Sequence, residues 1–122
     1  MEYGQKWRTM VSSMAENIGF KIIACCGAFY KSGSILRPHD VWVFSKDEYQ
    51  LPSDFSQQVI KLRGVALPCY CVGVAAVSGG IVLDPCCGMG YTAKAALSHD
   101  MSFRGLELDS KRLQTTINIL SK

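Results

Sequence analysis

The 122-residue sequence predicts an α/β fold, a mixed sheet with flanking helices, on three observations. The stretch Ile81 to Leu97, IVLDPCCGMGYTAKAAL, runs from an apolar strand through a glycine turn into an alanine-rich helix. Behind it, Phe103-Arg104-Gly105-Leu106-Glu107-Leu108-Asp109 reads as a second strand ending in acids. Strand, turn, helix and strand thus fall within the roughly 30 residues of a βαβ unit. Upstream, two runs rich in β-formers flank a polar loop and predict a hairpin.

Each element follows from local pattern. Trp7, Met10, Val11, Met14 and Ile18 recur at helical spacing before Gly19, which suits a helix C-terminus. Phe20 to Tyr30 is predicted as a long buried strand, Lys31 to Pro38 as a polar loop, and Val41 to Ser45 as the second strand of the hairpin. Asp54 followed by Gln57 fits a capped start to a short helix, with Phe55, Val59 and Leu62 on one face. Pro68 opens a further, nearly all-apolar helix through Val77, expected to be buried and terminated by Ser78-Gly79-Gly80. The closing helix, Ser110 to Leu120, carries Leu113, Ile117 and Leu120 as its core stripe and exposes Lys111 and Arg112. There is no internal repeat, low-complexity tract or linker.

Composition narrows the class. A hydrophobic content of 48% in 122 residues suffices for one core and is too little for two ordinary domains, so a single domain is expected. The net charge of +3 permits a nucleic-acid partner without demanding one. No uninterrupted apolar run approaches the roughly 18 residues of a membrane span, and the N-terminus MEYGQKWRTM has no signal-peptide apolar region; no membrane association and a cytoplasmic location are expected. The six cysteines fall as Cys25-Cys26, Cys69-x-Cys71 and Cys86-Cys87. None has the C-x₂-C spacing of zinc sites, and His39 and His99 are the only histidines, so no metal is expected. The cysteines read as small buried side chains, with Cys86 and Cys87, which line the glycine turn, open to either a packing or a redox role.

The turn itself carries the chemistry. Gly88 and Gly90 lack a Cβ, so the backbone turns tightly with φ > 0 and a ligand can approach its N–H groups, while the next helix offers an electropositive N-terminus. That is a cradle for a nucleotide-type cofactor. An acid at the end of the second strand is placed to accept hydrogen bonds from ribose hydroxyls. Ala93 occupies the third glycine position of the dinucleotide fingerprint, which disfavours a nicotinamide cofactor.

At these residues the sequence resembles a known family. VLDPCCGMGYTAKAA followed by GLELDSKRL is similar to the cofactor motif of S-adenosylmethionine-dependent DNA amino-methyltransferases of the N6-adenine/N4-cytosine type, in which Asp-Pro-Phe-x-Gly-Ser-Gly-Thr-Thr precedes Gly-x-Glu-x-Asp. Asp84, Pro85, Gly88, Gly90 and Thr92 match the first string, and Gly105, Glu107 and Asp109 the second. Cys86, Cys87, Met89 and Tyr91 depart from the commonest version but leave the backbone cradle intact. The resemblance implies a partial Rossmann-like methyltransferase fold with S-adenosylmethionine as cofactor. By the same resemblance Glu107 holds the ribose, the Gly88 to Gly90 turn passes the methionine part, and Asp84 sits near the amino group or its water. Pro85, Cys86, Tyr91, Thr92 and Asp109 complete the candidate cofactor-binding set.

Segment order extends the likeness to roughly residues 5–122. Residues 5–50 resemble the end of the catalytic half, where Lys31 to Lys46, KSGSILRPHDVWVFSK, stands for an acid before an apolar strand ending in Phe-x-Lys, with Asp40 in place of the usual Glu. Residues 51–80 form a helical connection, and 81–122 the cofactor-binding βαβα. Missing is the family's catalytic string, Asp/Asn/Ser-Pro-Pro-Tyr/Phe/Trp; Leu67-Pro68-Cys69-Tyr70 and Leu51-Pro52-Ser53-Asp54 come nearest. The resemblance is therefore to a C-terminal cofactor half, and it nominates no catalytic residue. Three functions stay open: a DNA methyltransferase or a subunit of one, a cofactor-binding protein without methyl transfer, and a structural or interaction module whose ligand site is empty. DNA is the implied substrate. With only four strands placed, either the hairpin packs directly against the cofactor strand or an edge is left open, and an open apolar edge calls for a homodimer or a catalytic partner chain.

Single residues keep two readings as well. Glu107 and Asp109 either meet ribose or cap the last helix. Arg37, His39 and Lys46 either meet phosphates or form a solvated surface. Trp7, Phe29, Tyr30 and Trp42 either stack on a base or ring or belong to the core, and Tyr91 either contacts a ligand or packs.

Overall fold

The computed structural model of the chain describes the backbone of residues 2–122 and the side chains of residues 8–31 and 33–122. The side chain of Trp7 lies outside the described residues. Two compact units divide the chain, Met1–Leu62 and Arg63–Lys122.

In the first unit, helix α1 (Glu2–Asn17) ends where Gly19 takes φ +88°, and the reversal is closed by Phe20 N–H donating to Ala15 O at 2.9 Å. Its apolar residues Met10, Val11 and Met14 stay exposed, as does Ile18 just beyond its end. Strands β1 (Lys21–Ser32) and β2 (Ile35–Ser45) form an antiparallel hairpin whose register runs from Lys21↔Ser45 to Ser32↔Ile35. The expected loop from Lys31 to Pro38 is thus mostly strand. Gly33 at φ +62° lets Gly33-Ser34 reverse the chain alone, so pairing resumes at Ile35 rather than Val41. Pro38 is tolerated opposite Phe29 because the outer edge of a two-stranded sheet needs no ladder bond.

The expected buried strand is also only half buried. Cys26 and Ala28 are buried while Cys25 and Gly27, on the opposite face, are exposed, because successive strand residues point to opposite faces; Ile22 and Tyr30, towards the strand ends, are exposed as well. Helix α2 (Phe55–Val59) packs its buried Phe55 and Val59 onto β1, and Cys26 Sγ and Ser56 Oγ lie 3.1 Å apart. Asp54 precedes α2 without capping it. Its backbone, at φ −96° and ψ 8°, is not in the extended region a cap needs, and its carboxylate accepts instead from Gln58 Nε2 at 2.8 Å. On the surface Arg8 grips Asp40 with both Nε and Nη2.

The second unit contains α3 (Ala66–Ala75), β3 (Ile81–Asp84), α4 (Tyr91–Ser98), β4 (Ser102–Gly105) and α5 (Ser110–Leu120). Parallel pairing of β3 with β4, from Ile81↔Ser102 to Asp84↔Gly105, with α4 between them, makes the βαβ unit. Helix α4 packs on both strands and touches α3 and α5; Ala93, Ala95 and Ala96 are its buried contacts. Such small side chains let helix and sheet approach closely. On the other side of the sheet, Ile81 and Leu83 are exposed, as is Leu106 just beyond β4.

Three expectations need correction here. Helix α3 begins two residues before Pro68, whose missing N–H falls harmlessly in the first turn, and none of its residues is buried, since within this unit α4 is the element it packs against. Strand β4 stops at Gly105, so Glu107 and Asp109 stand in the loop to α5 rather than on the strand. The buried face of α5 is not Leu113, Ile117 and Leu120: Ile117 and Leu120 are exposed, and Thr116 is the buried residue, flanked by half-buried Leu113 and Ile119. Among the described residues no helix is long and apolar enough to cross a membrane.

Candidate cofactor-binding site

The site begins where β3 ends. Asp84 Oδ1 accepts from the Cys86 N–H at 3.0 Å, an Asx turn that bends the chain around exposed Pro85. Backbone pairing continues one step past the strands, with Leu106 N–H donating to Asp84 O at 3.0 Å and Cys87 N–H to Leu106 O at 2.9 Å. Cys87 is thereby buried while Cys86 points to solvent, so of this pair only Cys87 matches the expected buried thiol. A Cβ on Gly105 would lie 3.0 Å from Cys87 Cβ and 2.6 Å from Phe103 Cζ, which is why the strand closes on glycine.

The two turn glycines, both at positive φ, serve different ends. Gly90, at φ +78°, gives its N–H to Cys87 O at 2.8 Å, and a Cβ there would stand 2.9 Å from Thr116 Oγ1 and 3.1 Å from Ile119 Cδ1. It is a packing glycine against α5. Gly88, at φ +52°, has no atom nearer than 3.9 Å to the place a Cβ would take. Its N–H donates to Glu107 Oε2 at 2.8 Å, and Glu107 Oε1 accepts the Asp109 N–H at 2.9 Å. A carboxylate thus braces the turn from the loop after β4.

Asp109 is the N-cap of α5. Its Oδ1 accepts from Lys111 and Arg112 N–H at 3.0 Å each, with the backbone in the extended conformation a cap requires. Gly90 gives α4 no side-chain cap, and the first-turn amides of a helix lack intrahelical acceptors, so the positive end of α4 adjoins the turn. Tyr91, at the first helical position, is half exposed, and Thr92 is partly buried. Asp84, Pro85, Cys86, Gly88, Tyr91 and Glu107 therefore gather at one end of the β3–β4 sheet.

The other sequence candidates sit in the first unit. Tyr30 and His39 meet edge to face at 5.5 Å, Trp42 and Phe44 stack at 5.8 Å, and Lys46 Nζ lies 5.2 Å from the centre of the Phe20 ring. Arg37 is exposed on β2. No group of three His, Cys, Asp or Glu side chains among the described residues is arranged to hold a metal ion. One residue escaped sequence reasoning: Thr116, whose hydroxyl donates to Gly88 O at 3.1 Å. A threonine inside an amphipathic helix carries no signal for such a contact.

No family model and no curated protein matches the sequence. Solved structures match the fold. M1.HpyAVI has a TM-score of 0.74 at 17% identity over 96% of this chain and 68% of its own, and its complex with S-adenosylmethionine a TM-score of 0.72 at 18% identity over 93% and 68%. TTHA0409, a putative DNA modification methylase from Thermus thermophilus complexed with S-adenosyl-L-methionine, has a TM-score of 0.68 at 16% identity over 94% and 59%. The chain has a methyltransferase-like α/β fold. It spans 68% of the length of M1.HpyAVI and 59% of that of TTHA0409.

Proposed function

We propose that this chain binds S-adenosylmethionine at the turn braced by Glu107 and serves as the cofactor-binding part of a DNA amino-methyltransferase acting on adenine or cytosine. One observation carries the reading: Gly88 offers open space beside a carboxylate that its own N–H holds in place, at the strand end of a fold shared with M1.HpyAVI and TTHA0409, both solved with that cofactor. The donor set suits the ligand. An ionised carboxylate has about four acceptor sites, so Glu107 retains capacity for ribose hydroxyls after accepting two amides. The positive end of α4 favours the carboxylate of the methionine moiety, and Asp84 and Glu107 favour its cationic centres. Asp84, Pro85, Cys86, Tyr91 and Thr92 line this cradle, and Asp109 acts through the cap that steadies the loop bearing Glu107. The bound cofactor supplies an electrophilic methyl group; the chain supplies binding and orientation.

The acceptor site belongs to a further stretch of polypeptide, because the sequence holds no Pro-Pro string. Exposed Ile81, Leu83 and Leu106 support the same view, since parallel sheets are ordinarily covered on both faces; a partner chain or a second copy covers them here. The missing string also favours a second reading, a cofactor-binding protein without methyl transfer. Calorimetric titration with S-adenosylmethionine tests the common core. Binding that Gly88→Val and Glu107→Ala each weaken about tenfold or more is expected, the loss of a charge-assisted contact or of ligand space. No binding at millimolar cofactor by a folded chain overturns both readings. Methyl transfer to DNA in the presence of the partner then separates them.

A further inference from the structure

We infer that Thr116 is the positioning residue of the glycine turn, and that by anchoring the Gly88 carbonyl it aims the Met89 N–H outward as the donor the turn presents to its ligand. The inference rests on the cofactor reading above and adds the atom that reads the ligand. Thr116, in the middle of α5, is 2% exposed and is the only fully buried polar side chain among the described residues. A buried hydroxyl without a partner costs about 1–3 kcal/mol, so its bond is a constraint and not an accident of proximity. Helical threonines commonly return their proton to the preceding turn, as Thr115 does to Lys111 O at 3.1 Å. Thr116 instead crosses to the glycine turn and donates to Gly88 O at 3.1 Å.

Peptide planarity carries the consequence. The Gly88 carbonyl and the Met89 N–H belong to one trans peptide, in which the two groups point in opposite directions. With its oxygen drawn towards α5, that peptide must present its N–H on the opposite side. The neighbouring amides are already committed, Gly88 N–H to Glu107 and Gly90 N–H to Cys87 O. Met89 N–H finds no acceptor among the described residues, and the Met89 side chain is half exposed. An acceptor oxygen of the ligand, such as the cofactor carboxylate, completes the set.

The test uses the full chain labelled with ¹⁵N and titrated with S-adenosylmethionine, followed by amide spectra and calorimetry, for wild type, Thr116→Val and Thr116→Ser. Valine keeps the shape and removes the hydroxyl; serine keeps the hydroxyl. On saturation the wild-type Met89 amide proton is expected to move downfield more than its neighbours. Thr116→Val should weaken binding about tenfold and abolish that movement, while Thr116→Ser stays within about twofold of wild type. A purely structural threonine would lower the melting temperature of the valine variant without that selective loss. Wild-type affinity in a folded Thr116→Val overturns the inference alone, and so does a Met89 amide that stays still in saturated wild type, a measurement that stands even if the valine variant does not fold. A wild-type chain that binds no cofactor overturns the inference together with the reading beneath it.

Discussion

Alanine at position 90 and alanine at position 88 look alike in sequence and should behave differently. Both glycines have positive φ, and a side chain in that region costs about 1–2 kcal/mol. Alanine recovers about 0.4–1 kcal/mol by restricting the unfolded chain. At Gly88 little else intervenes, since the nearest atom to the new Cβ is 3.9 Å away. Gly88→Ala should therefore destabilise by about 0–1.6 kcal/mol. At Gly90 the new Cβ meets Thr116 Oγ1 at 2.9 Å, Thr116 Cα at 3.1 Å and Ile119 Cδ1 at 3.1 Å. A helix backbone cannot swing aside as a side-chain end can, so α5 must shift, an overpacking cost of about 1–3 kcal/mol. The net expectation for Gly90→Ala is a loss of about 1–4.6 kcal/mol, about 1–3 kcal/mol more than at Gly88 and a large share of the stability of a small domain. Urea unfolding followed by far-UV circular dichroism measures both; tryptophan emission would report only on the first unit, which holds Trp7 and Trp42. Cofactor affinity should rank them the other way, with Gly88→Ala the poorer binder because its Cβ enters the ligand space. Losses of stability equal within about 0.5 kcal/mol would refute the assignment of Gly90 to packing and Gly88 to the ligand.

Three further outcomes follow from other parts of the fold. Gly73 sits inside α3 with His99 against it, a Cβ there standing 2.7 Å from His99 Cε1, so Gly73→Ala should destabilise the wild type yet stabilise a His99→Ala background by up to about 1 kcal/mol through helix propensity; the same sign in both backgrounds, read by thermal melting, would remove His99 as the cause. The Cys25 thiol, exposed yet partly desolvated, is pushed above its ordinary value by that desolvation and then by Asp40, against the opposing charge of Arg8, so Asp40→Asn should lower its pKa and speed its alkylation at neutral pH; a rate-against-pH profile that does not move to lower pH would contradict that cause. If a second copy covers the exposed face of β3, sedimentation equilibrium should find a dimer that Leu83→Lys dissociates, and a wild-type monomer at high concentration would leave a different polypeptide as the occupant.

The sequence by itself determined the α/β class, the hairpin, the βαβ unit and the glycine turn, because these depend on neighbours along the chain. Gly19 ends α1 and Gly88 and Gly90 turn at positive φ for a reason internal to glycine, and the apolar strand before the turn and the alanine helix after it declare their periods locally. Gly33 shows the limit of that legibility, since a single residue with φ +62° converted an expected eight-residue loop into strand. Only the tertiary structure decided that Asp109 caps α5 while Glu107 braces the turn, although the two acids look interchangeable in the string Glu-x-Asp. It also turned α5 so that Thr116, and not Ile117, is buried. The physical reason is that a hydroxyl's acceptor or a glycine's excluded volume is set by atoms distant in sequence, Thr116 against Gly88 and Gly90, and no local pattern records which distant segment will arrive.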